Sequence, residues 1–124
     1  MLKLQTGLLL FILVALMACS QPVKPLKTED AALIAAARTG HAGTVRDMLT
    51  SGASVNVKDE HGNTALIEAA RNGHDGVVRT LLAAGADTKI TNNDGQTALT
   101  LARLGSHEDV IAALTQAGAV GSSR

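Results

Sequence analysis

Apolar positions divide the chain into two unlike parts. Leu8–Met17 is one uninterrupted apolar run, whereas from Ala31 onward apolar residues come in short clusters at helical spacing, punctuated by glycine. Ala31–Arg38 predicts a helix with Leu33, Ile34 and Ala37 placed to pack, Thr28 or Asp30 able to cap its start, and Gly40 ending it. Thr44–Thr50 predicts a second helix using Val45, Met48 and Leu49. After Gly52-Ala53 the pattern switches to alternation, with Val55 and Val57 on either side of Asn56, as in a short hairpin arm. Thr64 then reads as an N-cap, and Ala69 and Ala70 permit close helix approach. Gly73 is a stop, and Val77, Val78, Leu81 and Leu82 form the apolar face of the next helix.

The clusters recur. A shift of 33 residues places Gly62 on Gly95, Thr64 on Thr97, Leu66 on Leu33 and Leu99, His74 on His41 and His107, and Gly85 on Gly52 and Gly118. A fixed period of this length marks stacked supersecondary units. Gly-x-Thr-Ala-Leu occurs twice, Gly-His twice with Ser106-His107 as an altered third copy, and Gly-Ala-Ser-Val-Asn-Val-Lys-Asp lies at 52–59. Over about residues 28–120 the chain thereby resembles the ankyrin repeat family. The resemblance implies an all-α solenoid of about three helix-turn-helix repeats with short β-hairpin connectors, spanning 29–58, 59–91 and 92–120, with 121–124 as a tail.

Two departures accompany it. Thr64-Ala65-Leu66-Ile67 and Thr97-Ala98-Leu99-Thr100 stand where family members often carry Thr-Pro-Leu-His. Losing a proline that preorganises the first turn costs stability rather than changing the fold. In the third repeat Thr115 replaces Leu82 and Arg103 replaces Ala70, the polar outer face that a terminal repeat needs to stay soluble.

At 124 residues there is room for one domain, and a formal charge of zero implies no general attraction to nucleic acid. Phe11, the one aromatic, lies outside the repeats. Lys3 followed by the Leu8–Met17 run is too short to span a bilayer, which takes about 20 residues, but matches the core of a signal peptide, assigned to residues 1–18. The run ends in Leu16-Met17-Ala18-Cys19, which resembles a bacterial lipobox. The resemblance implies that Cys19, the chain's one cysteine, carries a diacylglyceryl group and acyl chains such as palmitate; the plain alternative is a spectator thiol. Residues 19–28, with Pro22 and Pro25, then form a tether, whose nine residues beyond the cysteine reach at most about 30 Å. By resemblance to enterobacterial lipoprotein sorting, Ser20 after the cysteine implies the outer membrane, periplasmic side, over the inner membrane.

Chemistry is sparse. His41, His74 and His107 hold the same place in successive repeats, about 10 Å apart on helix dimensions, so they cannot share one metal ion whose ligands must each lie within about 2 Å of it. The family resemblance implies that each bonds backbone at the inter-helix turn. Glu68, one turn before Arg71 and Asn72, reads as an intrahelical pair. No nucleophile elbow, phosphate loop or His-Glu-x-x-His occurs, so no catalytic residue, metal or cofactor is expected. The resemblance instead implies a monomeric protein-binding module, contacting its partner through hairpin tips and the exposed side of each first helix. Carried over, these positions are Glu60, His61, Asn63, Arg71 and Asn72, then Asn93, Asp94, Gln96, Arg103 and Leu104, with Arg38 in the first repeat. Arg38, Arg71 and Arg103/Leu104 would form a basic ladder beside Glu60 and Asp94; the plain alternative is a solvated face whose arginines complement helix dipoles. The reading is a lipid-anchored, periplasm-facing interaction module. Its alternatives are immunity against a periplasmic toxin, support of a periplasmic stress enzyme, or a structural element of an envelope assembly.

Overall fold

A computed structural model describes residues 28–122. The leader assigned to 1–18, Cys19 and the tether before Thr28 lie outside the described residues. Six helices follow in order: α1 Thr28–Thr39, α2 Ala42–Thr50, α3 Ala65–Arg71, α4 Asp75–Ala83, α5 Ala98–Leu104 and α6 Glu108–Ser122. The first helices of the repeats pack side by side (α1 on α3, α3 on α5), and the second helices likewise (α2 on α4, α4 on α6). Each first helix also packs on its own second helix. The result is the two-layered all-α solenoid of three repeats that the 33-residue period predicts.

Small residues set the spacing. Ala37, Ala65, Ala69, Ala70, Ala98 and Ala102 are all buried, and Leu33, Leu66 and Leu81 fill the space between helices. In the third repeat the burial fades: Leu66 is buried, whereas its counterpart Leu99 is half-buried. Thr115 and Arg103, which stand in for Leu82 and Ala70, are exposed there, the polar finish expected of a terminal repeat.

Helix ends follow the sequence signals with one exception. Thr64 and Thr97 cap their helices, their hydroxyl oxygens accepting from the backbone N–H of Ile67 and of Thr100, each at 3.2 Å. Gly73 closes α3 with φ +74°: its N–H donates to the Ala70 carbonyl at 3.3 Å and the His74 N–H to Ala69 at 2.9 Å. This paired closure is the Schellman arrangement, which needs a left-handed residue. The exception is α1, which contains both residues expected to cap it. The Asp30 carboxylate is buried and accepts from the Ser54 N–H at 2.9 Å, tying the first helix to the following connector.

The third repeat makes the same closure without glycine. Ser106 takes φ +55°, its N–H donating to Arg103 and that of His107 to Ala102. A side chain in this region costs about 1–2 kcal/mol. Ser106→Gly removes that strain but gives about 0.4–1 kcal/mol back as freedom of the unfolded chain. The expected result is a net gain of about 0.5–1 kcal/mol, read as a higher urea midpoint with an unchanged slope.

One expectation is corrected. The connectors are turns: no strand occurs among the described residues. Asp59 and Asn63 are closed by one backbone bond of 3.0 Å, as are Asn92 and Gln96, because the arms beyond each turn leave for the core, with Val55 and Val57 half-buried on it, instead of continuing as a ladder. Gly118, in register with the helix-ending Gly52 and Gly85, does not end its helix; α6 runs on to Ser122.

Candidate functional site

Glu68 is the centre of the polar face. It sits in α3 within Ala65-Leu66-Ile67-Glu68-Ala69-Ala70, an otherwise apolar and fully buried run, and its side chain is only 3% exposed. Burying a carboxylate is costly unless it is paired and hydrogen-bonded. Two arginines do this. The Arg38 Nε, from α1 and 30 residues away, donates to Oε2 at 2.9 Å, and the Arg71 Nη1, one turn on, donates to Oε1 at 2.8 Å. Asn72 closes the same turn, its amide donating to the Glu68 carbonyl at 2.9 Å.

The chain of polar contacts continues to the hairpin tips. Arg71 Nη2 reaches the amide oxygen of buried Asn63 at 3.4 Å. Asn92, also buried, donates to that oxygen at 3.1 Å and to Gln96 Oε1 at 3.3 Å. Asp59 and Asn92 hold equivalent places and do the same local job. The Asp59 Oδ1 accepts from the N–H groups of His61 and Asn63, and the Asn92 Oδ1 from those of Asp94 and Gln96, at 2.9–3.0 Å. These are Asx turns, the side-chain mimic of a backbone turn. The second tip locks on the first: Asn93 donates its N–H to the His61 carbonyl at 3.0 Å and its amide to the Glu60 carbonyl at 3.1 Å. Gly62 at φ +77° makes room for this, since a Cβ there would stand 2.7 Å from Asn93 Oδ1.

Between the helix ends and the tips lies a cleft of about 460 Å³. Its lining gathers Arg38, Arg71 and Glu68 on the helix side with Asp59, His61 and Asp94 on the tip side, joined by Asn63, Asn72 and Asn92. Two arginines thus share Glu68 and face two further carboxylates. The arginines keep substantial access to water, with side chains 55% and 41% exposed.

The structure sorts the residues expected to touch a partner into three groups. Arg38, His61, Arg71, Asn72 and Asp94 come together as cleft lining and are exposed, and Glu60 stands exposed on the first tip beside it. Asn63, Gln96 and Asn93 have internal employment. Asn63 lines the cleft but is buried, Gln96 is half-buried in the amide network, and Asn93 spends its side chain on the tip-to-tip lock. Arg103 and Leu104 lie off the cleft, both exposed, with Leu104 the exposed large hydrophobic among the described residues at 71%. Of the three cations expected along the helices, Arg38 and Arg71 line the cleft and Arg103 does not. Two arginines share one buried carboxylate, and in the third repeat a leucine occupies the corresponding place. Glu68 as an inter-repeat anchor, Asp59 and Asn92 were missed as lining. A carboxylate inside an apolar run, three positions short of one full period after Arg38, is the signal that points to Glu68.

The equivalent histidines also bridge repeats. His74 Nε2–H donates to the Arg38 carbonyl at 3.0 Å and His107 Nε2–H to the Arg71 carbonyl at 3.1 Å. The expected backbone bond exists, but it reaches the turn of the preceding repeat. His41, first in the row, bonds the Thr39 hydroxyl through Nδ1 at 2.7 Å. Each bridging ring lies on the glycine of the turn before it: a Cβ on Gly40 would come within 2.8 Å of His74, and one on Gly73 within 2.5 Å of His107. Among the described residues no three His, Cys, Asp or Glu side chains gather around one ion-sized point. No helix among them is long and apolar enough to cross a membrane.

No curated protein matches the chain. A family model described as ankyrin repeats (3 copies) matches residues 6–92 and, in a second register, residues 33–123. The match agrees with the stacked helix pairs, the Thr caps, the glycine closures and the bridging histidines, and the chain belongs to the ankyrin repeat family.

Proposed function

We propose that this protein is a lipid-anchored binding module that holds another protein in its Arg38–Asp94 cleft, close to the periplasmic face of a bacterial membrane. Ankyrin repeats are in general protein–protein interaction modules. The observation that carries the reading is the polarised cleft: half-exposed arginines held in place on one wall, and the exposed Asp94 and His61 on the other. Side chains already ordered by internal contacts lose less freedom on binding, which favours a specific interface. With no aromatic residue in the repeats, arginine is the hot-spot type this surface offers. Support for the address comes from Leu16-Met17-Ala18-Cys19 after an apolar core. Two or more acyl chains hold a chain firmly, since each buried methylene contributes about 0.8 kcal/mol. Whether the captured partner is a toxin, a stress enzyme or an assembly component decides what binding accomplishes.

The test is cross-linking in intact cells with a tagged wild-type chain beside His61→Glu/Asp94→Lys, two exposed side chains that make no hydrogen bond or ion pair among the described residues. The wild type should capture one protein that the double variant loses while keeping its helicity; capture of the same set by both, or of nothing, sinks the reading. Cys19→Ala should move the chain from the membrane fraction to the soluble fraction and remove labelling by radioactive palmitate. Retention of the label there refutes the anchor.

A further inference from the structure

We infer that the cleft recognises a carboxylate side chain in an acidic segment of its partner, taken bidentately by the outer edge of Arg38. The inference rests on the reading of the cleft as the binding face and adds what the face takes.

Arg38 uses only Nε internally, on Glu68 Oε2; its Nη1 and Nη2 make no hydrogen bond among the described residues. The two Nη groups form a planar fork that matches the two oxygens of a carboxylate. Arg71 differs, with Nη1 spent on Glu68 and Nη2 on Asn63. It lends charge and leaves the fork to its neighbour. Glu68 supplies the preorganisation: being 3% exposed, it cannot follow solvent, so the Arg38 guanidinium is held by its inner edge while the side chain remains 55% exposed. Fixing a free arginine costs up to about 2 kcal/mol of rotamer entropy, most of which is spent before a ligand arrives.

Charge selects the ligand. Glu68 neutralises one of the two guanidinium groups, which leaves one surplus positive charge on the helix side. A carboxylate, with one negative charge, matches that surplus. A phosphate dianion exceeds it and meets the field of Asp59 and Asp94, which line the same cleft, with twice the charge of a carboxylate. The same two tip carboxylates place a cation-favouring wall opposite the fork, so a segment with an acid at Arg38 and a base toward Asp94 fits best.

The test titrates the full chain, in dodecyl maltoside micelles, with hexaglutamate, hexaglutamine, hexalysine and inorganic phosphate, and follows the arginine Nε–Hε resonances. Hexaglutamate should shift the Arg38 and Arg71 signals saturably, leave the Arg103 signal in place, and bind at least about tenfold more tightly than any of the other three. Arg38→Gln should weaken it by about tenfold or more, and Arg103→Gln should leave it unchanged. Equal binding of hexaglutamine, tighter binding of phosphate or hexalysine, or an unchanged affinity in Arg38→Gln overturns the inference. The hexaglutamate–hexaglutamine contrast is read on the wild-type chain, so it stands even if Arg38→Gln unfolds. Capture of a partner in cells without this preference removes the carboxylate assignment and leaves the binding reading standing.

Discussion

Glu68→Ala is expected to lower the unfolding free energy by about 3 kcal/mol, at the low end of the range for removing one partner of a buried ion pair. Two features set the size. The carboxylate is buried and joins α1 to α3 through Arg38, so its loss removes a contact between repeats as well as one within a helix. The arginines left behind are half-exposed and recover part of their hydration, which keeps the cost below that of a stranded buried charge. In a domain with a total stability of order 5 kcal/mol this is a large fraction, and the melting temperature should fall by more than about 10 °C. Glu68→Gln should be intermediate, because an amide offers one acceptor oxygen where the carboxylate serves two guanidinium groups. Urea unfolding followed at 222 nm measures both. A cost for Glu68→Ala below about 1 kcal/mol, the usual worth of an exposed pair, would mean that the clamp does not hold the repeats together.

Gly73→Ala should cost about 2 kcal/mol, and Gly85→Ala only about 1 kcal/mol. Both glycines have positive φ, +74° and +89°, so both variants carry the left-handed strain, partly offset by the stiffer unfolded chain. The difference lies in the neighbours. A Cβ on Gly85 meets nothing within 4 Å, whereas one on Gly73 would stand 2.5 Å from His107 Nδ1. The imidazole must move, and with it goes the bond from Nε2 to the Arg71 carbonyl, worth about 1 kcal/mol. Equal costs for the two substitutions would show that backbone strain alone demands glycine at these turns.

The outcome at each position tracks how local its cause is. Thr64 was legible as a cap because the hydroxyl bonds a backbone N–H three residues on, and Thr97, one period later, does the same. The paired arginine at Arg71 was legible for the same reason, one turn from Glu68. Asp30 was misread as a cap because its partner, Ser54, lies 24 residues away across a turn. Asn63, Asn93 and Gln96 look like free surface amides in a list of polar tip residues, and only the approach of one tip to the next gives them internal partners.

The sequence alone determined the architecture: a 33-residue period places the same small, apolar and glycine residues at the same contacts three times over. A repeat protein is built from nearest-neighbour interfaces, so the period carries nearly all of the fold. What only the tertiary structure decided is the electrostatics of the face. Whether Arg38 and Arg71 are two free cations or two arms on one carboxylate depends on Glu68 meeting Arg38 from the next helix over, 30 residues along the chain. Charge interactions act through space, and their strength is set by burial, which the linear pattern does not state. The ladder that the period suggested thus became a cleft with one surplus positive charge facing two acidic tips.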